Sequence, residues 1–160
     1  MSTNVQAIPK GYHNLTPYLN IKGAAKAIEF YSQVFGAKVV GKIYMPDRST
    51  IAHAEIEIGD SKIMLAEENE QWRNLSPSTI GDTAVSLCLY VEDVDAVFAK
   101  ALREGAKAIG EMEVKDQFYG DRTGSIVDPF GHKWSIMTHK EDVSFDQLQG
   151  RMDAMMSVHS

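Results

Sequence analysis

Three side chains that can carry or transfer protons, His53, Glu55 and Glu57, alternate along Ile51 to Ile58. A period of two puts them on one face of a strand. With Glu67 or Glu68 they could form a displaced metal or acid–base cluster; equally, they are the polar side of a half-exposed strand. Gln117-Phe118-Tyr119-Gly120-Asp121-Arg122 is the most unusual polar and aromatic stretch. In it Tyr119 could stack on a ligand and Arg122 could meet an anionic group. Alternatively Asp121-Arg122-Thr123-Gly124 is a turn with the arginine salt-bridged to a nearby acid. Gln71-Trp72-Arg73-Asn74 could cover a site or be a surface loop. His13, His132 and His139 stand singly, at strand ends or turns. Cys88, the one cysteine, excludes an internal disulfide and a cysteine-cluster zinc site, and it reads as a small hydrophobe on a buried strand.

These residues must be positioned by an internal repeat. Thr16 to Ile21 alternates polar and apolar residues as a half-buried strand does. Ala24, Ala27, Ile28, Tyr31 and Phe35 follow at helical spacing, and Gly36 ends that helix. Strands are predicted at Lys38 to Tyr44, Ile51 to Ile58 and Lys62 to Ala66, the last two joined by a hairpin through Gly59-Asp60-Ser61.

The second half repeats this order at an offset of about 70 residues. Its strand is Ser86 to Val91. Its helix is capped by Asp93 or Asp95, carries Val97, Phe98, Ala101 and Leu102, and ends at Gly105. Strands follow near Ala108 to Glu113, Gly124 to Val127 and Lys133 to Thr138, the last two joined by the turn Asp128-Pro129-Phe130-Gly131. Ser144 and Gln147 have capping-box spacing before an amphipathic helix with Phe145, Leu148, Met152 and Met155 on one face. That helix packs on its own domain or covers a dimer partner.

The fold class is therefore α+β: one domain over residues 1–160 made of two βαβββ modules. Module 1 spans about 13–68, a connector 69–85, module 2 about 86–140, and the terminal helix about 144–156. Each module alone leaves one sheet face uncovered, so the two are expected to pack against each other or against a second chain.

Paired modules of this size resemble the glyoxalase/bleomycin-resistance/extradiol dioxygenase (vicinal oxygen chelate) superfamily, and the wording is similar to its PhnB-like branch. The resemblance rests on Thr16-Pro17-Tyr18-Leu19, Ala27-Ile28-Glu29-Phe30-Tyr31, Phe35-Gly36-Ala37, His53-Ala54-Glu55-Ile56, Gly120-Asp121-Arg122 and Asp128-Pro129-Phe130-Gly131-His132. It implies a cup of curved mixed sheet with helices outside, and homodimerisation. In metal-dependent members four ligands point into the cup from the first and fourth strands of each module. The corresponding residues here are Thr16, Met64, Ser86 and Ser135, none a histidine or carboxylate, so neither a metal nor another cofactor is expected.

The resemblance thus implies a protein binding a small organic molecule without metal and without a catalytic residue. Thr16, Tyr18, Met64, Ser86, Tyr90 and Ser135 would line the cup, with Tyr119 and Arg122 at its side. The alternative is a divalent-metal lyase, isomerase or dioxygenase using relocated ligands such as His53 and Glu67.

A net charge of -6 with scattered lysines and arginines argues against nucleic acid as a partner. No apolar run reaches the roughly 20 residues of a membrane span and no secretory signal is readable, so the expected location is cytoplasmic.

Overall fold

The computed structural model describes residues 4–110 and 113–158. They fall into two compact units, Met1–Asp82 and Thr83–Ser160.

In the first unit β1 (Tyr18–Ile21) leads into α1 (Ala24–Phe35), then β2 (Lys38–Tyr44), β3 (Ile51–Ile58) and β4 (Ser61–Glu67). The sheet order is β1-β4-β3-β2, with β1 parallel to β4 and the other pairs antiparallel. Strand alternation sends Leu19, Ile21, Ala54, Ile56, Ile63 and Leu65 to the face under α1. There they are buried with Ala24, Ala27, Ile28 and Tyr31.

Helix α1 begins at Gly23, whose φ of 96° suits glycine and which has no capping side chain of its own. Glu67 supplies the cap from β4, its carboxylate accepting from the Gly23 N–H at 3.0 Å and the Ala24 N–H at 2.7 Å. Gly36 ends the helix in the left-handed conformation, as expected. The connector carries a short helix, α2 (Pro77–Ile80), that the sequence reading lacked.

In the second unit β5 (Ser86–Tyr90) and α3 (Val94–Arg103) precede β6 (Lys107–Ala108), β7 (Lys115–Asp116), β8 (Asp121–Val127) and β9 (Lys133–His139); α4 (Phe145–Val158) closes the chain. The order is β5-β9-β8-β6, with β7 also on β8. Val94, Phe98, Ala101, Ile126, Trp134 and Ile136 form the core under α3. Asp93, not Asp95, caps α3, accepting from the Ala96 N–H at 3.1 Å.

Three expectations are corrected here. The strand read near Ala108 to Glu113 ends at Ala108, pairing resumes at Lys115, and Glu111 and Met112 lie outside the described residues. Asp121 to Gly124 is not a turn but the first half of β8, because Arg122 and Asp121 pair in register with Thr138 and His139 of β9. Cys88 is exposed, on a strand with no buried residue.

The remaining turn and cap readings agree with the structure. Gly131 closes the turn on the Asp128 carbonyl at 3.1 Å. Ser144 and Gln147 form the capping box, each backbone N–H donating to the other's side chain.

Candidate functional site

Each sheet has a face turned away from its helix, and several of the candidate residues lie on it. In the first unit Tyr18 pairs in register with Met64, and Met64 with Glu55. Alternation adds His53, Glu55, Glu57 and Lys62 to that face. The Tyr18 hydroxyl lies 2.9 Å from His53 Nδ1, and His53 Nε2 lies 3.5 Å from Glu55 Oε1. The Tyr18 and His53 rings are 5.5 Å apart.

Lys62 is paired with Glu57 and stands over the Tyr12 ring, 5.9 Å from its centroid. Burial, followed by the Glu55 carboxylate, pushes the Tyr12 phenol up to about 12. Its hydroxyl is buried without a partner at hydrogen-bonding geometry, although Glu55 is near enough to act on it electrostatically. Burial also raises the Tyr18 phenol. Thr16 precedes β1, two residues from Tyr18 and half-buried.

A pocket of about 90 Å³ opens beside Tyr18, lined also by Ala66, Glu68, Asn69, Trp72 and Asn74. The connector reaches it through a tight loop in which the Asn69 and Asn74 backbones exchange hydrogen bonds at 2.9 and 3.0 Å. Trp72 thus stands in a pocket wall while remaining largely exposed.

In the second unit one row of the corresponding face runs Cys88, Ser135, Ser125, with the two serine hydroxyls 3.2 Å apart. The next holds Tyr90, Met137 and Thr123, and Tyr119 meets the Thr123 hydroxyl at 3.3 Å. Ser86 lies at the near end of β5, opposite Lys133. A polar pocket of about 360 Å³ is lined by Ile109, Glu113, Lys115, Gln117, Thr123 and Ser125.

The Tyr90 hydroxyl donates to Asp121 Oδ2 at 2.7 Å, an interaction that raises its phenol further than burial does. Asp121 also meets His139 Nδ1 at 2.7 Å, while His139 Nε2 reaches Asp142 at 2.7 Å. The preceding Gly120 has φ 97°, and a Cβ there would lie 2.3 Å from the Glu141 carbonyl oxygen. Only glycine lets the chain turn into β8 at that point and aim Asp121 inward.

Tyr18 and Met64 therefore share one face of the first unit, with Thr16 just ahead of β1, and Ser86, Tyr90 and Ser135 share one face of the second, where Tyr119 meets Thr123. Arg122 is not with them. It points to the α3 side, where its guanidinium donates to both Asp95 oxygens at 2.8 Å and to Asp116 at 3.2 Å. Of the two readings of Arg122, the salt bridge describes its surroundings.

The relocated pair fails as well: His53 and Glu67 lie on opposite faces of one sheet, and Glu67 is turned into the α1 cap. Glu68 is likewise engaged, accepting from the Ser76 N–H at 3.0 Å and the Thr79 hydroxyl at 2.7 Å. Among the described residues no three His, Cys, Asp or Glu side chains are grouped as a metal site requires. The sequence reading missed Asp121 as the partner of Tyr90. The available signal was Gly120-Asp121 at a strand start, opposite a histidine two strands' length away.

A first and last strand paired side by side in parallel, with the strands between them antiparallel beyond, behind a single helix and present in both units, defines a protein of tandem βαβββ units. The chain belongs to the glyoxalase/bleomycin resistance protein/dioxygenase superfamily, whose model matches residues 13–136. It is 38% identical over 143 residues to the uncharacterised protein Rv0887c of Mycobacterium tuberculosis, covering 88% of this chain and 82% of that one.

Among solved structures it resembles the fosfomycin resistance protein FosX of Listeria monocytogenes (TM-score 0.62, 14% identity, 85% of this chain and 97% of that one). It also resembles a bleomycin-binding protein complexed with bleomycin (TM-score 0.56, 17% identity, 80% and 99%). At these identities the two structures establish the fold. Among the described residues no helix is long and apolar enough to cross a membrane.

Proposed function

We propose that this protein binds a small, partly apolar organic molecule on the helix-free faces of its sheets, without a metal ion. The observation that carries this reading is the chemistry of four positions. By the resemblance, Thr16, Met64, Ser86 and Ser135 correspond to the positions at which metal-dependent members place their ligands, and they offer two serines, a threonine and a thioether. Such weak neutral donors do not fit a divalent ion that needs imidazole or carboxylate. The same faces carry Tyr18, Tyr90 and Tyr119, which suit aromatic contact, with hydroxyls to set orientation. The bleomycin complex of one structural relative supports the reading at the level of fold.

In this reading the two units form one domain, the chain works as a cytoplasmic homodimer of the PhnB-like branch, and neither nucleic acid nor membrane is a partner. The test is metal content per chain on untagged protein, paired with thermal shifts against divalent ions and a library of small aromatic compounds. Substoichiometric metal, no shift with ions and a dose-dependent rise in Tm with a compound are expected. One tightly held ion per chain would sink the reading.

A further inference from the structure

The pocket beside Tyr18 joins three kinds of wall. Tyr18 and Trp72 are aromatic, Met45, Ile51 and Ala66 are apolar, and Glu68 is acidic, with no lysine or arginine among the described lining residues. Glu67 also borders the pocket, but its carboxylate is turned into the cap of α1. Glu68 keeps its charge. The Ser76 N–H first and the Thr79 hydroxyl second hold its carboxyl below the usual range, and the Lys22 charge is the weakest influence on it. Both close partners are neutral, so they orient the carboxylate without cancelling it, and its oxygens can accept further hydrogen bonds.

The two aromatic residues are held in place without being packed away. His53 engages the Tyr18 hydroxyl at 2.9 Å, so the ring is what Tyr18 offers a ligand. Trp72 is 61% exposed, yet its loop is fixed: Asn69 Oδ1 accepts from the Trp72 N–H at 3.1 Å, and the Asn69 and Asn74 backbones are paired. The cavity, about 90 Å³, equals roughly three waters' share of liquid volume, which suits a head group and not a whole drug-sized molecule. An anion there would face Glu68 with no cation to hold it. A metal ion would find one carboxylate among methyl groups, and no three acidic or imidazole side chains are grouped among the described residues. A neutral apolar group would strip water from Glu68 and give it nothing in return. An organic cation meets all three walls, because aromatic faces attract positive charge and its carbon-bound hydrogens suit the apolar side.

We propose that this pocket takes an alkylammonium head group, its charge shared between Glu68 and the rings of Trp72 and Tyr18; this rests on the small-molecule reading above and names the class of ligand. Glu68 supplies the charge, the two rings supply the cation–π contact, and Met45, Ile51 and Ala66 receive the alkyl groups on nitrogen. The pocket holds only the head, so the remainder of the ligand extends past Tyr18 over the helix-free face.

Choline and its uncharged carbon isostere, 3,3-dimethyl-1-butanol, are the probes. Calorimetry on the full chain gives their affinities, and ¹H–¹⁵N spectra follow the indole N–H resonances of Trp72 and Trp134. Choline should bind at least tenfold more tightly than the isostere, moving the Trp72 resonance and leaving that of the buried Trp134 in place. Added salt should weaken choline and spare the isostere. Trp72→Leu should weaken choline at least tenfold, with Trp72→Phe keeping part of the affinity. Glu68→Gln should weaken choline at least fivefold and leave the isostere unchanged; since Glu68 also anchors the connector, the salt dependence of wild type tests the charge without disturbing that anchor. Equal affinity for the two probes overturns the cation assignment, and if both move Trp72 the small-molecule reading survives. No binding of choline overturns the assignment as well, and a rise in Tm with a neutral aromatic compound would then leave the small-molecule reading standing. Magnesium chloride moving the Trp72 resonance as far as choline does at equal ionic strength would overturn both.

Discussion

Asp121 holds Tyr90 and His139 together, one carboxylate oxygen 2.7 Å from each. The pairing of β9 with both its neighbours makes this possible, since Asp121 of β8 is opposite His139 and Tyr90, across β9 on β5, is opposite Met137 two residues before it. A buried carboxylate with two partners fixes the helix-free face of the second unit at its open end.

The same cluster makes stability depend on pH. Hydrogen bonds to Asp142 first and Asp121 second raise the His139 imidazole above its ordinary value. A raised folded-state value means the protonated form is favoured by folding. This contribution is fully present below pH about 6.5 and is lost as pH rises through the elevated value. Denaturant melts across this window should show falling stability in wild type and a flatter profile in His139→Gln. Equal slopes would refute the assignment.

Glu67→Ala should cost about 1 to 2 kcal/mol, because it strips the carboxylate cap from the start of α1. Urea unfolding would measure it. A loss below about 0.5 kcal/mol would mean that water replaces the carboxylate at no penalty.

Gly124→Ala tests packing rather than backbone strain. An added Cβ would lie 2.6 Å from Phe98 Cδ2 and 3.0 Å from Val114 Cγ2. Overpacking of this kind costs about 1 to 3 kcal/mol. Combining it with Phe98→Leu should recover part of the loss in a double-mutant cycle, and strictly additive losses would place the clash elsewhere.

Asp128 organises the β8–β9 turn. Oδ1 accepts from the Phe130 and His132 N–H groups at 2.9 and 3.0 Å, and Oδ2 from the Trp134 indole at 2.9 Å. Asp128→Ala leaves three donors without their acceptor and should cost about 3 kcal/mol, with Asp128→Asn costing less. Tryptophan fluorescence of the variant should report a changed Trp134 environment even before unfolding.

Arg122→Ala is expected to leave the response to small-molecule ligands unchanged, because the guanidinium is on the α3 side with Asp95 and Asp116. Loss of ligand-induced shifts in a folded Arg122→Ala protein would return that residue to the site.

Most of the architecture was legible in the sequence because it rests on local periodicities. Ala24 to Phe35, the Gly36 cap, the hairpin through Gly59 and the turn at Asp128 are each written within a few neighbouring residues, and the repeat joins them. The faces of Tyr18, Ser86 and Tyr90 followed from alternation, while those of Met64 and Ser135 were implied by the family resemblance. Strand ends did not follow. Asp121 to Gly124 carries turn-forming residues, yet pairing with β9 holds it extended, a case of tertiary context overriding local preference.

The amino-acid sequence by itself determined the two βαβββ units and their offset, because these depend on spacing and residue type; that Thr16, Met64, Ser86 and Ser135 are ligand-like positions is what the resemblance implies. Only the tertiary structure decided what each polar group meets. Glu67 and Arg122 are as chemically able as Glu55 and His53, but one lies at a helix start and the other between two aspartates. Such partners come from 27 or 43 residues away, and strand register, which sets them, is fixed by burying the opposite face.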